Sequence, residues 1–206
     1  RRGGKVLKLD IYRGASGGER RPALLYLHGG GWLMGDKRTQ GQPLCNHLAS
    51  LGWVCVNANY RLSPGATWPD HLIDAKAAVA WIREHADEYG IDPGFIAIAG
   101  GSAGGQLAAM TALTAGDPDL QPGFESTDTS IQAAATFYGV YDLTNRLGAL
   151  HPDFLKKMVG PLVCRTSTTS PSTRTARPTS SARASMAVSV YSRPSSSGAS
   201  RSSPST

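Results

Sequence analysis

Apolar and polar positions alternate between two periods along the first 140 residues. Val6–Tyr12 alternates with a period of two and predicts a strand. Ala23–His28, the run ALLYLH, predicts a short buried strand ending at a glycine cluster, and Trp53–Asn59 (WVCVNAN) a second β-rich strand. Phe95–Ala99 (FIAIA) and Ala133–Tyr138 predict two more, the first after an Asp92–Pro93 turn. Between them, Pro43–Ser50 predicts a short helix and Ala103–Leu113 another. Pro69–Tyr89 predicts a long helix, because Leu72, Ala75, Val79, Ile82, Ala86 and Tyr89 recur at spacings of three and four and form one apolar face. Gly14–Gly18 and Gly116–Ser130 read as connecting loops. Strands alternating with helices predict an α/β fold: three α/β/α layers around a mostly parallel sheet. In such sheets reactive groups gather at the carboxyl ends of the strands. Two glycine clusters fall there, His28–Gly31 and Gly100–Gly105.

The second cluster, Gly100-Gly101-Ser102-Ala103-Gly104-Gly105, fits G-x-S-x-G between a strand and a helix. A serine on so tight a turn is held in a strained backbone conformation, and small neighbours let strand and helix approach closely. Its hydroxyl then stands above the sheet at the positive end of the following helix. Ser102 is therefore the candidate acyl nucleophile, with Gly100 and Gly104 supporting the turn. A plain tight turn with a solvated serine is the bland alternative. In His28-Gly29-Gly30-Gly31-Trp32, consecutive glycines leave backbone N–H groups unobstructed. The N–H groups of Gly30, Gly31 and Ala103 are the candidate oxyanion hole, one such donor lowering a barrier by roughly 2.7–4 kcal/mol. His28 precedes the glycines and, with Gly29, is expected to support the loop rather than act as a base. A phosphate cradle is excluded in detail: no Lys-Ser/Thr follows at Walker spacing, and neither cluster fits G-x-G-x-x-G.

These motifs carry a resemblance. His28–Trp32, Tyr60-Arg61-Leu62-Ser63-Pro64 and Gly100–Gly105 resemble the α/β-hydrolase carboxylesterases and lipases of the hormone-sensitive-lipase-like group. Gly35-Asp36-Lys37-Arg38, Trp68-Pro69-Asp70-His71 and Phe137–Asp142 (FYGVYD) are similar to actinobacterial, mycobacterial-type members. The resemblance covers about residues 5–163. It implies serine hydrolysis of small-molecule carboxylic esters, often of short or medium acyl chains, with no cofactor and no metal. Gly101 stands where many members carry Asp. Asp70, His71 and Asp74 gather at a helix start, where Asp70 suits the helix dipole; a catalytic dyad there is a minor alternative. Trp32 and Trp68 either line an acyl pocket or simply pack, and Tyr138–Asp142 lies on the expected active-site face.

A serine triad also needs an acid and then a His. The resemblance implies that both lie well downstream of Ser102, yet His151 is the only later histidine and stands too close behind the strand at 133–138. Composition offers a reason. Residues 1–163 read as a partial α/β-hydrolase domain. Residues 164–206 are Ser, Thr, Arg and Pro rich: from Arg165 onward 22 of 42 residues are Ser or Thr, with six Arg and no acid. Such a segment buries too little apolar surface to offset chain entropy and is expected to be disordered. Its bias is that of GC-rich coding sequence read out of frame, so a frameshift or truncation near Val163–Arg165 is expected, with a disordered or O-glycosylated tail as the alternative. A sheet stopped there would leave an unpaired edge. A non-catalytic pseudo-hydrolase or binding protein is the competing functional class.

Charge adds little. The formal net charge of the 206-residue chain is +6, and all of it lies in the last 42 residues, so the body gives no support to nucleic-acid binding. No apolar run is long enough to span a membrane, and Arg1–Arg20 has no signal-peptide core. The first residue is not Met, and we expect a fragment or a processed product. Cys45, Cys55 and Cys164 lack metal-site spacing and are read as buried hydrophobes or idle thiols, which leans toward a reducing, cytoplasmic setting. Oligomeric state is not legible.

Overall fold

The computed structural model describes residues 6–15, 18–148, 150–164 and 186–192. Among the described residues six strands form one sheet: β1 (Leu7–Arg13), β2 (Arg21–Leu27), β3 (Val54–Ala58), β4 (Ile91–Gly101), β5 (Ala133–Phe137) and β6 (Met186–Ser192). Their spatial order is β5-β4-β2-β3-β1-β6. The β1–β3 pair is antiparallel, and the β2–β3, β2–β4, β4–β5 and β1–β6 pairs are parallel. The mostly parallel α/β architecture expected from the periodicity is the one observed.

Helices cover both faces. α1 (Gln42–Ser50) lies on one, where Cys45 and Ala49 pack with Tyr12, Leu24, Tyr26 and Cys55. α2 (Asp70–Glu84), α3 (Ala86–Tyr89) and α4 (Ala103–Leu113) lie on the other, over a larger core built on Leu9, Leu25, Val56 and Ile98. Residues 72, 75, 79, 82, 86 and 89 are all buried, as their spacing predicts. The expected single helix over 69–89 is nevertheless two. His85 leaves helical geometry at φ −105°, ψ 17° while its ring Nδ1–H donates to the Trp81 carbonyl at 2.9 Å. Gly90, in the left-handed region at φ 67°, ends α3. The Asp92–Pro93 turn survives inside β4: Asp92 Oδ1 accepts from the Gly94 N–H at 2.8 Å, and the pairing with β2 shifts register there.

Two regions depart further from the expectation. After β5 the chain forms α5 (Pro152–Phe154), which runs into a π-helical segment, Leu155–Cys164. Within the segment expected to be disordered, Met186–Ser192 (MAVSVYS) forms β6 along the β1 edge. Val188, Val190 and Tyr191 are strong β-formers, and an open parallel edge satisfies their backbone groups. The rest of that expectation, over 165–185 and 193–206, lies outside the described residues. β5 occupies the opposite edge, paired only with β4 among the described residues, and all five of its residues are exposed.

Candidate active site

β2 and β4 are neighbours, so the loops leaving their carboxyl ends emerge side by side. β4 ends at Gly101, α4 begins at Ala103, and Ser102 alone makes the turn with φ 54° and ψ −120°. A positive φ at a non-glycine residue costs energy and persists only where its surroundings enforce it. Here they do: the Ser102 N–H donates to the Phe137 carbonyl at 2.9 Å, and the Ser102 carbonyl accepts from Gln106 N–H at 3.0 Å. The helix is held against the sheet by missing side chains. A Cβ on Gly104 would lie 2.5 Å from the His28 carbonyl oxygen, and one on Gly100 2.7 Å from that of Leu27. At Gly101 a Cβ would sit 2.7 Å from the Tyr138 hydroxyl, so a tyrosine covers the position where the resembling esterases often carry Asp.

The loop after β2 lies directly against this turn. A Cβ on Gly29 would be 3.3 Å from Ser102 Cβ and 2.8 Å from the Gly101 carbonyl. Gly30 and Gly31 have φ 123° and 61°, and Trp32 follows at φ 61°. The Gly30 carbonyl accepts from the N–H groups of Leu33 and Met34, closing a tight turn.

Support for the loop comes from several sides. His28 is buried, its Nδ1–H donating to the Gly29 carbonyl at 2.8 Å and its ring stacking on Tyr60 at 4.4 Å. The Tyr60 hydroxyl donates to the His28 carbonyl at 2.9 Å, and Gln40 Oε1 accepts from the Gly29 N–H at 2.8 Å. The far end is pinned by Lys37. Its ammonium pairs with the fully buried Asp10 of β1, its N–H donates to Asn59 Oδ1 at 2.7 Å, and its carbonyl accepts from Asn57 Nδ2 at 3.1 Å.

The Asp70–His71–Asp74 cluster is architectural. Arg61 makes a two-pronged pair with Asp74, at 2.7 and 2.8 Å, and reaches Asp70 at 3.2 Å. The Ser63 hydroxyl donates to the Ala66 carbonyl at 2.8 Å, so His71 Nε2–H donates to Ser63 at 3.1 Å. The Ser63 N–H in turn donates to the Trp32 carbonyl at 2.9 Å. Downstream of Ser102, His151 is exposed and accepts from the Asp153 N–H, while Asp142 is capped by Leu147 N–H and the Thr144 hydroxyl. Among the described residues, no histidine or carboxylate hydrogen-bonds Ser102 Oγ, and no cluster of three metal-ligating side chains occurs.

Beside the two motifs lies an apolar cavity of about 400 Å³. Trp32, Trp68, Met110, Val140 and Val163 line it, together with Gln106, Tyr141 and Cys164. Both tryptophans therefore face this space.

The BD-FAE family model matches residues 9–182. The chain belongs to the BD-FAE family of α/β-hydrolase esterases. It is 58% identical over 134 residues to "Probable carboxylic ester hydrolase LipM" of Mycobacterium tuberculosis, a match covering 65% of this chain and 31% of LipM. Esterase LipQ of the same organism is 54% identical over 145 residues, covering 69% and 34%. Among solved structures, Thermogutta terrifontis esterase 2 phosphonylated by sarin has a TM-score of 0.64 at 35% identity, covering 74% of this chain and 57% of that one. The butyrate-bound form of that esterase gives 0.61 at 35% identity, covering 74% and 58%. This BD-FAE chain thus spans about a third of the length of the curated relatives it matches.

In this BD-FAE chain, residues that motif reading passes over complete the site's support: Asp10, Lys37, Asn57 and Asn59 behind the glycine loop, and Gln106 in the cavity. Of these, Lys37 alone falls within one of the motifs, Gly35–Arg38, and the one signal at Gln106 is its place one helical turn after Ser102.

Burial holds the imidazoles of both His28 and His71 below their ordinary value near 6.5. The unfolded chain therefore takes up these protons first. Stability is full above pH about 6.5 and falls as the pH drops below it, by about 1.4 kcal/mol per pH unit for each histidine until its own depressed pKa is reached. Urea midpoints measured from pH 8 down to pH 5 should decline accordingly, and His71→Gln should remove one proton from that slope. A flat profile would contradict the assignment.

Proposed function

We propose that this chain carries the nucleophile and oxyanion-binding half of a carboxylic-ester hydrolase. Ser102 Oγ attacks the ester carbonyl carbon. The carbonyl oxygen takes up negative charge and is received by the N–H groups of Gly30, Gly31 and Ala103. Collapse of that intermediate forms the acyl–serine bond and breaks the bond to the alcohol oxygen, which leaves with a proton. Ser102 also gives up its own proton, and this chain supplies no positioned base for it among the described residues. The acyl-enzyme step is therefore slow. The alternative, a binding protein that keeps the hydrolase pocket, differs in one respect: its serine is unreactive.

One observation carries the reading: a strained serine at φ 54° stands at the N-terminus of α4 with the triple-glycine loop packed against it. The helix N-terminus favours the anionic form of the attacking oxygen. The apolar cavity beside Trp32 suits an apolar acyl or alcohol group. A solved neighbour phosphonylated by sarin makes organophosphorus reagents the natural probe. Incubation with a fluorophosphonate should give a single adduct, mapped by mass spectrometry to Ser102 and absent in Ser102→Ala. A serine that stays unlabelled even after prolonged exposure to excess reagent, lengthened to match the slow acylation, would favour the binding-protein alternative.

A further inference from the structure

The loop that carries the proposed oxyanion donors folds back on itself. Gly35 has a φ of 99°, and a Cβ there would lie 2.6 Å from the Gly29 carbonyl oxygen and 2.7 Å from His28 Nδ1. A Cβ on Gly30 would run into the Met34 carbonyl. Met34 and Gly35 are therefore the floor under Gly29 and Gly30. Two residues on, Lys37 fastens that floor at three points: its ammonium to Asp10 of β1, its N–H to Asn59, and its carbonyl to Asn57 of β3. The two backbone bonds are open to any non-proline residue at 37. The ion pair needs the lysine.

Stability does not explain that pair. Asp10 is fully buried and the Lys37 side chain is 11% exposed. Asp10 stands in register with Asn57, whose Oδ1 accepts from Cys45 Sγ, so it lies on the sheet face where Tyr12, Leu24, Tyr26 and Cys55 form an apolar cluster. Desolvation of two buried charges often exceeds their attraction, and apolar residues of similar volume then serve the fold as well or better. What apolar residues lack is direction. An aliphatic chain at 37 could settle anywhere along an apolar wall, whereas an ammonium must meet the one carboxylate there.

We propose that the Asp10–Lys37 ion pair is a positioning element of ester hydrolysis, fixing the loop floor so that the Gly30 and Gly31 N–H groups face the oxygen that becomes negative. This rests on the reading of Ser102 as nucleophile. Oxyanion donors act because they are oriented before the charge develops, and a misplacement of about 1 Å, caused from a distance, costs roughly a hundredfold in rate. A loop held by its backbone bonds alone keeps its contacts with a ligand and loses that orientation, so the maximal rate falls while binding stays.

The test removes both charges together, with Asp10→Leu and Lys37→Met in the 206-residue chain, so that neither is left buried without the other. Asp10→Asn with Lys37→Met, which keeps a polar side chain in the strand, is the second variant and is read in the same way. The urea midpoint should be no lower than that of the parent. Hydrogen exchange followed by mass spectrometry should quicken about tenfold at the amides of Leu33 and Met34, which donate to the Gly30 carbonyl, while β2 and β3 exchange as in the parent. Fluorophosphonate labelling of Ser102 should reach a maximal rate about tenfold to a hundredfold lower, at an unchanged half-saturating concentration. A lower midpoint in both variants would make the pair structural and overturn the proposal. Unchanged loop exchange, or a labelling change confined to the half-saturating concentration, would overturn it too. Parent and variants that label equally fast sink the role of the pair and leave the nucleophile standing. A parent that never labels sinks the nucleophile, and the positioning role with it.

Discussion

The 206-residue chain should hydrolyse p-nitrophenyl butyrate roughly 10⁶-fold more slowly than esterase LipQ assayed beside it, the loss seen when a serine-hydrolase triad loses a principal member. The reason is a proton. A serine hydroxyl is a weak nucleophile unless a neighbouring base removes its hydrogen as the bond to carbon forms. Ser102 has its strained turn, but no described histidine is bonded to it. His151, the one histidine after it in the sequence, is exposed and engaged with the Asp153 N–H. The proposed donors on Gly30, Gly31 and Ala103 would still lower the barrier without a base, so the rate should stay above that of buffer, and because that residual does not need the serine, Ser102→Ala should lower it little. His151→Ala should change nothing. A rate within a hundredfold of LipQ, lost in Ser102→Ala, would mean that another group serves as base and that the site is more complete than described.

The second large effect is structural. Gly104→Val should cost about 4 kcal/mol or more, enough to leave a domain of ordinary stability unfolded. The added Cβ would meet the carbonyl oxygens of Leu27 and His28, the latter at 2.5 Å. Neither can retreat. β2 is paired on both sides, with β3 and β4, and the His28 carbonyl already accepts from Tyr60. Gly116→Ala is the matched control: its φ of 72° brings backbone strain, but nothing lies within 4 Å of the new methyl group. It should cost only about 1 kcal/mol. Urea denaturation of the two variants against the parent separates overpacking from strain. Equal midpoints would remove close helix–strand approach as the reason for a glycine at 104.

What the sequence discloses depends on the range of the interaction involved. Five strands and α1 were placed to within a few residues, and α4 falls on Ala103–Leu113 as its pattern predicts. Their apolar periods follow from burial on one face or two. The division between α2 and α3 was not legible, because Leu72 through Tyr89 keep their period across a break made by one histidine turning back to Trp81. β6 is hidden by composition: the Ser and Thr around it mask a short run of β-formers that matters only beside β1. The same holds within the site. Glycines announce the turn and the loop because their local geometry demands them. Asp10 does not announce itself. In an alternating strand it reads as a polar position facing water, and only the fold brings Lys37 over it. Gln106 sits in a helix whose pattern makes it one more polar residue, and its lack of a protein partner is a fact of three dimensions.

The bond from the Ser102 amide to the Phe137 carbonyl ties the reactive turn to the last residue of β5. The two glycine motifs meet only after β2 and β4 have joined across an intervening strand and three helices, and the turn is clamped only when β5 has added to them. Parallel pairings at such sequence separations form slowly, because loop entropy is spent before contacts repay it. During synthesis, a nascent polypeptide that ends before position 137 lacks the acceptor that holds Ser102 in its strained geometry. The strained geometry of Ser102 is thereby coupled to the arrival of β5 in the sheet, well after the serine itself has been made.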